Sequence, residues 1–172
     1  MYGIAADSMN EEAVKKIYEI KHRDLKKPCN ILVSDIEMIK KVTKGVSQKE
    51  EKIIKKFSPG ALTMIFEKNE QIPEIVTANL DTIGIRIPDY KFLLDLIKHF
   101  GRPIVATSLN LAGEKSLTNV DDIDQNLKNS VDIIVDGGEA IGGMASTIIR
   151  VVEEDIEILR EGPITRKDIE QA

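Results

Sequence analysis

The sequence has little of several residues that define common protein classes: one cysteine, no tryptophan and two histidines among 172 residues. Because a disulfide needs two thiols, Cys29 alone excludes an internal disulfide and indicates a reducing compartment, the cytoplasm. The sequence lacks CxxC and HExxH patterns, so we expect no metal held by protein ligands alone. It also lacks any apolar run near the ~20 residues that span a bilayer. We therefore expect a soluble, cytoplasmic protein without a membrane partner.

Two common phosphate-binding loops, GxxxxGK[ST] and GxGxxG, are also missing from the sequence. Positive charge is nevertheless concentrated near the start: residues 1–60 hold 13 Lys and Arg against 9 Asp and Glu. The remaining residues hold 11 against 20, and the overall charge of -5 excludes a uniformly basic nucleic-acid coat. A basic cluster can attract a polyanion, although a solvated helix face produces the same pattern. The cluster comprises Lys15, Lys16, Lys21, Arg23, Lys26 and Lys27.

Helix signals and short apolar runs alternate along the chain. Capping patterns and apolar spacing predict helices after Asn10, over 36–42, from Ser47 to Phe57, from Asp89 to Gly101, around 120–127 and from Thr165. Apolar runs predict strands over 30–33, 61–66, 83–87, 103–107, 131–135, 147–152 and 156–159. Interleaved helices favour parallel pairing, whereas the closely spaced late strands favour antiparallel pairing. We therefore predict one α/β domain over residues 1–172, built on a mixed parallel and antiparallel sheet.

Three polar segments could carry chemistry, and each leaves two interpretations open. Lys21-His22-Arg23, with Lys27 nearby, follows the first predicted helix and could satisfy its carbonyls or bind phosphates. Segment 107–110 lies at the carboxyl end of a buried strand, where it could bind a ligand or form a turn. The glycine-rich segment 136–147 separates two predicted strands and could let a ligand approach the backbone or form a flexible hairpin.

Seven short motifs occur in order between Tyr2 and Gly162. They are YGI at 2–4, KHR at 21–23, SPGALT at 58–63, IGIRIP at 83–88, SLN at 108–110, STII at 146–149 and LREG at 159–162. Together they resemble the YrdC-like family, whose members form threonylcarbamoyl-AMP and pyrophosphate from L-threonine, bicarbonate and ATP. The resemblance implies the twisted, open YrdC/RibB-like sheet with flanking helices, in a single-domain form. Since the first family motif begins here at its Tyr-Gly, we expect the family's N-terminal strand to be absent.

The resemblance also implies site residues. Lys21, Arg23 and Arg86 would be catalytic: the first two would bind the phosphates of ATP, and Arg86 the carboxylate of threonine or of its carbamate. No protein nucleophile is needed, since the carbamate oxygen would attack the α-phosphate, with Mg²⁺ carried on the phosphates of ATP. Further contacts to ATP would come from Lys27, Thr82, Asn110, Thr118 and Arg160, and further contacts to threonine or bicarbonate from Ser108 and Ser146.

By this resemblance the chain is a nucleotidyltransferase, an L-threonylcarbamoyladenylate synthase that serves tRNA threonylcarbamoyladenosine modification. Its product would pass to a tRNA-modifying threonylcarbamoyl-transferase complex. Two positions depart from the family pattern: His22 replaces a frequent glycine, and Leu32 stands where some relatives have a histidine. Two alternatives remain open at this point. One is an RNA- or nucleotide-binding YciO-like paralogue without synthase activity, and the other is a carbamoyl-transfer relative of hydrogenase-maturation proteins.

Overall fold

The computed structural model describes residues 1–109, 117–140, 143–153 and 155–171. The strands are β1 (Gly3–Asp7), β2 (Asn30–Leu32), β3 (Leu62–Glu67), β4 (Thr82–Arg86), β5 (Ile104–Ser108), β6 (Thr147–Val152) and β7 (Asp155–Arg160). The helices are α1 (Glu11–Ile20), α2 (Ile36–Val42), α3 (Gln48–Phe57), α4 (Glu74–Thr77), α5 (Lys91–Phe100), α6 (Gln125–Asn129) and α7 (Arg166–Glu170). None of the helices in the described part of the chain combines the length and apolar character that crossing a membrane requires.

All seven described strands belong to one sheet, in the order β1-β5-β2-β4-β3-β6-β7. The pairs β2–β4 and β3–β6 are parallel, and the other four pairs are antiparallel. The sheet is open, with β1 and β7 as its edges. The predicted α/β class with a mixed sheet is confirmed.

One face of the sheet is packed against the core. The registers align a row of apolar side chains across five neighbouring strands, and all of its members are buried: Val105, Ile31, Ile85, Met64 and Ile149. Since directly paired residues point to the same side of a sheet, this row defines the packed face. The residues that alternate with this row along each strand point to the opposite face of the sheet.

Local signals account for most of the helices. The Asn10 side chain accepts a hydrogen bond from the Ala13 N–H and begins α1, as predicted. Capping boxes at Ser47 and Thr165 begin α3 and α7. The left-handed Gly101, with φ of 75°, ends α5 as expected.

Three local predictions were wrong. Asp89 does not cap α5, because Tyr90 occupies the N-cap position and makes no side-chain cap hydrogen bond. Segment 131–135 forms no strand in the structure, and Ile133, Ile134 and Val135 are exposed. The helix predicted around 120–127 begins only after Asp124, whose carboxylate accepts from the N–H groups of the next turn. The elements β1 and α4 were not predicted.

Candidate functional site

Small and polar residues occupy the sheet face opposite the packed row. Pairing places Ser108 beside Gly3, Ala106 beside Ala5 and Asn30, and Arg86 beside Leu32. An added Cβ on Gly84 would meet the side chain of Asn30, so Gly84 lies on this same side. We call this surface the open face. Its members are Gly3, Ala5, Asn30, Leu32, Gly84, Arg86, Ala106 and Ser108. Because most of these side chains are short, a ligand can approach the strands closely.

Two arginines meet at one end of the open face. The Arg86 Nε donates to the Gly60 carbonyl oxygen at 2.8 Å. The Arg160 guanidinium donates to the Ser146 carbonyl oxygen at 3.0 Å from Nε and 2.8 Å from Nη2, and Nη2 also lies 3.1 Å from Ser146 Oγ. Burial and the charge of Arg160 lower the pKa of Arg86. Because the charge of Arg160 acts on Arg86, the two cations together favour an anionic ligand. We call Arg86, Arg160 and Ser146 the arginine end.

Thr63 belongs to the arginine end, although the motif at 58–63 predicts no role for its side chain. It is 1% exposed, and its Oγ1 lies 2.7 Å from Ser146 Oγ. The only available signal was a hydroxyl residue inside an apolar strand, at the end of the motif at 58–63. A buried hydroxyl requires a partner, and here the partner is another predicted site residue.

Lys21 and Ser108 lie together at the opposite end of the open face. The Lys21 Nζ donates to the backbone carbonyl of Ser108. Burial and the nearby charge of Arg23 lower the pKa of Lys21. Arg23 donates to the carbonyl oxygens of Pro28 at 2.8 Å and Lys27 at 3.3 Å, so it holds the loop that leads into β2. We call Lys21, Arg23 and Ser108 the lysine end.

The remaining predicted site residues are more dispersed. Thr82 begins β4 and lies four residues before Arg86, towards the lysine end. The Thr118 carbonyl accepts from the Ala140 N–H at 2.7 Å, near the edge of the sheet. Lys27 is exposed, and its backbone carbonyl oxygen accepts hydrogen bonds from Arg23 Nε and from the Tyr18 hydroxyl. Asn110 lies outside the described residues.

The start of the glycine-rich segment is held by Tyr2. The Tyr2 hydroxyl accepts from the Gly137 N–H at 3.1 Å, and it lies 2.7 Å from the Gly138 carbonyl oxygen and 3.0 Å from the Asp136 carboxylate. Gly138 has φ of 76°, a conformation that favours glycine. Since 131–135 is not a strand, the interpretation of this segment as a hairpin loop is wrong.

His22 adopts a left-handed conformation between Lys21 and Arg23, with φ of 47°. This conformation costs most L-residues about 1–2 kcal/mol, whereas glycine adopts it freely. We expect His22→Gly to leave the free energy of unfolding unchanged or to raise it by up to about 1 kcal/mol, after the greater freedom of the unfolded glycine chain is subtracted. Denaturant unfolding measures this difference.

The matched control is His99→Gly, because His99 lies in the last turn of α5 and is not among the residues with positive φ. There glycine should lower the free energy of unfolding by about 0.5–1 kcal/mol. An equal loss at both positions would contradict the proposed strain at His22.

Comparison with known proteins identifies the family. The Sua5/YciO/YrdC family model, described as "Telomere recombination", matches residues 1–162. The chain belongs to this family. A Methanocaldococcus jannaschii protein named putative threonylcarbamoyl-AMP synthase is 42% identical over 164 residues, which cover 95% of this chain and 76% of that protein. The threonylcarbamoyl-AMP synthase of Pyrococcus abyssi is 34% identical over 171 residues.

A solved structure of P. abyssi Sua5, complexed with L-threonine, has the same fold as this member of the Sua5/YciO/YrdC family. The two structures agree with a TM-score of 0.90 at 34% sequence identity, over 99% of this chain and 50% of the Sua5 chain. This chain therefore spans about half the length of the P. abyssi relative. The resemblance and the fold predicted from the motifs are both confirmed.

Proposed function

We propose that this chain is an L-threonylcarbamoyladenylate synthase, which forms threonylcarbamoyl-AMP and pyrophosphate from L-threonine, bicarbonate and ATP. The observation that carries the proposal is the presence of two cationic ends on one open sheet face. Arg86 and Arg160 lie at one end, and Lys21 lies against Ser108 at the other. The names of the relatives from P. abyssi and M. jannaschii support the same activity.

The distance between the two ends suits two anionic substrates that react with each other. In register, Ser108 lies four residues along the strands from the row of Leu32 and Arg86. At about 3.3 Å per residue this amounts to roughly 13 Å along the strands, in addition to the spacing between strands. The triphosphate of ATP would bind at the lysine end, and the carboxylate of threonine at the arginine end. Arg160, for which the resemblance implied a contact to ATP, would then contact this carboxylate together with Arg86. The short side chains of Asn30, Gly84 and Ala106 leave room between them for the reacting groups.

The residues would act by positioning and by stabilising charge. Lys21 and Arg23 would neutralise the negative charge that develops on the phosphates as pyrophosphate leaves. Arg86 would hold the carboxylate of threonine or of its carbamate by charge-assisted hydrogen bonds. The carbamate oxygen would then attack the α-phosphorus in line, a step that needs orientation and no protein nucleophile. Mg²⁺ would enter on the phosphates of ATP as part of the substrate.

The product would be a mixed carbamic–phosphoric anhydride, which is a reactive group donor. We infer that it is consumed by a threonylcarbamoyl-transferase complex that modifies tRNA. Bound between the two cationic ends, the anhydride would be sheltered from water until its transfer.

The proposed activity is tested by pyrophosphate release from ATP. We expect release to require both bicarbonate and L-threonine, and L-serine to be the poorer substrate. Lys21→Met should lower kcat/KM for ATP at least about tenfold, because a charge-assisted contact of about 1.5–3 kcal/mol is lost. The matched control is Lys16→Met, which removes an exposed lysine from α1 and should change nothing.

A rate of pyrophosphate release that is the same with and without L-threonine would contradict the proposal. The alternative, an RNA-binding protein without synthase activity, is favoured by the exposed side chains of Lys15, Lys16, Lys26 and Lys27. It predicts no pyrophosphate release, together with an RNA affinity that falls steeply with salt concentration.

A further inference from the structure

Three side chains form a hydrogen-bonded chain from the interior to the arginine end. Thr63 is 1% exposed and Ser146 is 5% exposed, and their hydroxyl oxygens lie 2.7 Å apart. Ser146 Oγ also accepts from Arg160 Nη2 at 3.1 Å. Arg160 in turn contributes to the charge around Arg86. The hydroxyl oxygen of Ser146 therefore has two hydrogen-bond partners, the Thr63 hydroxyl and the Arg160 guanidinium.

Counting the available protons shows which group donates in each of these hydrogen bonds. Within the described ranges, Ser146 Oγ is the one hydrogen-bond partner of the Thr63 hydroxyl. A buried O–H without an acceptor destabilises the folded protein, so the Thr63 proton points to Ser146 Oγ. Arg160 donates to the same oxygen, because a guanidinium has only donors. A serine hydroxyl accepts two hydrogen bonds and donates one, so both acceptor positions of Ser146 are filled.

We propose that Thr63 is a positioning residue that fixes the Ser146 hydroxyl as a hydrogen-bond donor toward an anionic group bound by Arg86 and Arg160. With its lone pairs filled, Ser146 can offer a ligand only its proton. It therefore selects a carboxylate or another oxyanion and disfavours a ligand group that must itself donate, such as an amide N–H. The identity of this anion, the carboxylate or carbamate of threonine, rests on the proposed function.

The substitution Thr63→Val tests the inference, because it removes the hydroxyl and keeps the shape. We expect the affinity for L-threonine, measured by titration calorimetry on the full chain, to fall about tenfold, and the preference for L-threonine over L-threoninamide to decrease. Thr63→Ser keeps the donor and should restore both. The matched control is Thr43→Val, since Thr43 is also buried but its hydroxyl donates to the Ile39 carbonyl at 3.0 Å. It should leave the affinity unchanged.

A double-mutant cycle separates positioning from a purely structural role. If Thr63 acts through Ser146, Thr63→Val should have no further effect on affinity once Ser146→Ala is present. An effect of the same size in both backgrounds would overturn the inference. An unchanged affinity in Thr63→Val alone would overturn it as well.

Inorganic phosphate, used as a second probe, separates this inference from the proposed function. If the wild type binds phosphate but not L-threonine, and Thr63→Val weakens phosphate binding, the inference stands and the synthase proposal fails. If the wild type binds both and Thr63→Val weakens neither, the inference fails and the synthase proposal survives. If the wild type binds neither anion, both fail.

Discussion

Arg86→Met should lower kcat/KM for L-threonine about 10- to 100-fold, while the Tm of the protein changes by no more than about 2 °C. The loss follows from the position of Arg86, which ends β4 on the open face and has its Nε fixed by the Gly60 carbonyl. A charge-assisted contact to a carboxylate contributes about 1.5–3 kcal/mol, and this loss would apply to the transition state as well as to binding. Pyrophosphate release at varied L-threonine concentrations measures the effect.

The small expected change in Tm has a separate cause. Burial and the charge of Arg160 already lower the pKa of Arg86, which means that its charged form is destabilised in the folded protein. Among the residues described, no carboxylate lies within ion-pair distance of Arg86. Removing the cation therefore relieves repulsion, which offsets the lost hydrogen bond to Gly60. Binding and stability should respond differently to this one substitution.

Two further variants make the Arg86 result specific. Arg150→Met removes an arginine that is paired with Glu157 at 2.7 Å near the surface, and it should leave kcat/KM unchanged. Arg86→Lys keeps the charge but loses the planar two-pronged contact, so its activity should lie between those of the wild type and Arg86→Met. Full activity of the Arg86→Met variant would show that the arginine end does not bind L-threonine during the reaction.

Features set by a few neighbouring residues could be predicted from the sequence. The caps at Asn10, Ser47 and Thr165 are contacts over three residues, so their patterns are complete in the sequence itself. The strand 83–87 was predicted within one residue for the same reason, since an apolar run stops before Pro88.

Features set by distant partners could not be predicted in this way. The strand β1 contains one large apolar residue, Ile4, and it is a strand because it pairs along β5. Segment 131–135 has strong strand propensity, yet it pairs with no strand in the described part of the chain, and propensity alone does not make a ladder. The role proposed for Thr63 depends on its contact with Ser146, 83 positions later. Which of the two hydroxyls donates can be worked out only from the three-dimensional positions of their partners.

Gly162→Ala should reduce stability and activity together. Gly162 follows β7, and an added Cβ would lie 2.6 Å from the Ala145 carbonyl oxygen and 2.7 Å from the Ser146 carbonyl carbon, and against the Thr147 N–H. All three are backbone atoms, so no flexible side chain can move aside. Overpacking of this kind costs about 1–3 kcal/mol, which corresponds to a fall in Tm of roughly 3–10 °C for a protein of this size. Thermal unfolding with and without L-threonine measures it.

The backbone around Ser146 has little freedom to relax the clash. The Thr147 N–H donates to the Ala61 carbonyl at 2.9 Å, and the Thr147 hydroxyl both accepts from the Ile164 N–H and donates to the Ile164 carbonyl. Any shift of this segment moves Ser146 away from Arg160 and Thr63, so the activity should fall even in the molecules that remain folded.

The control is Gly45→Ala, because an added Cβ there meets nothing within 4 Å. This variant should match the wild type in both Tm and activity. A Gly162→Ala protein with the Tm and activity of Gly45→Ala would show that the segment around Ser146 adapts freely, and the proposed fixed direction of the Ser146 hydroxyl would lose its structural basis. We expect Gly162→Ala to lose both Tm and activity, and Arg86→Met to lose activity alone. This difference would distinguish Arg86, which binds the anion, from the backbone that holds Ser146 in place.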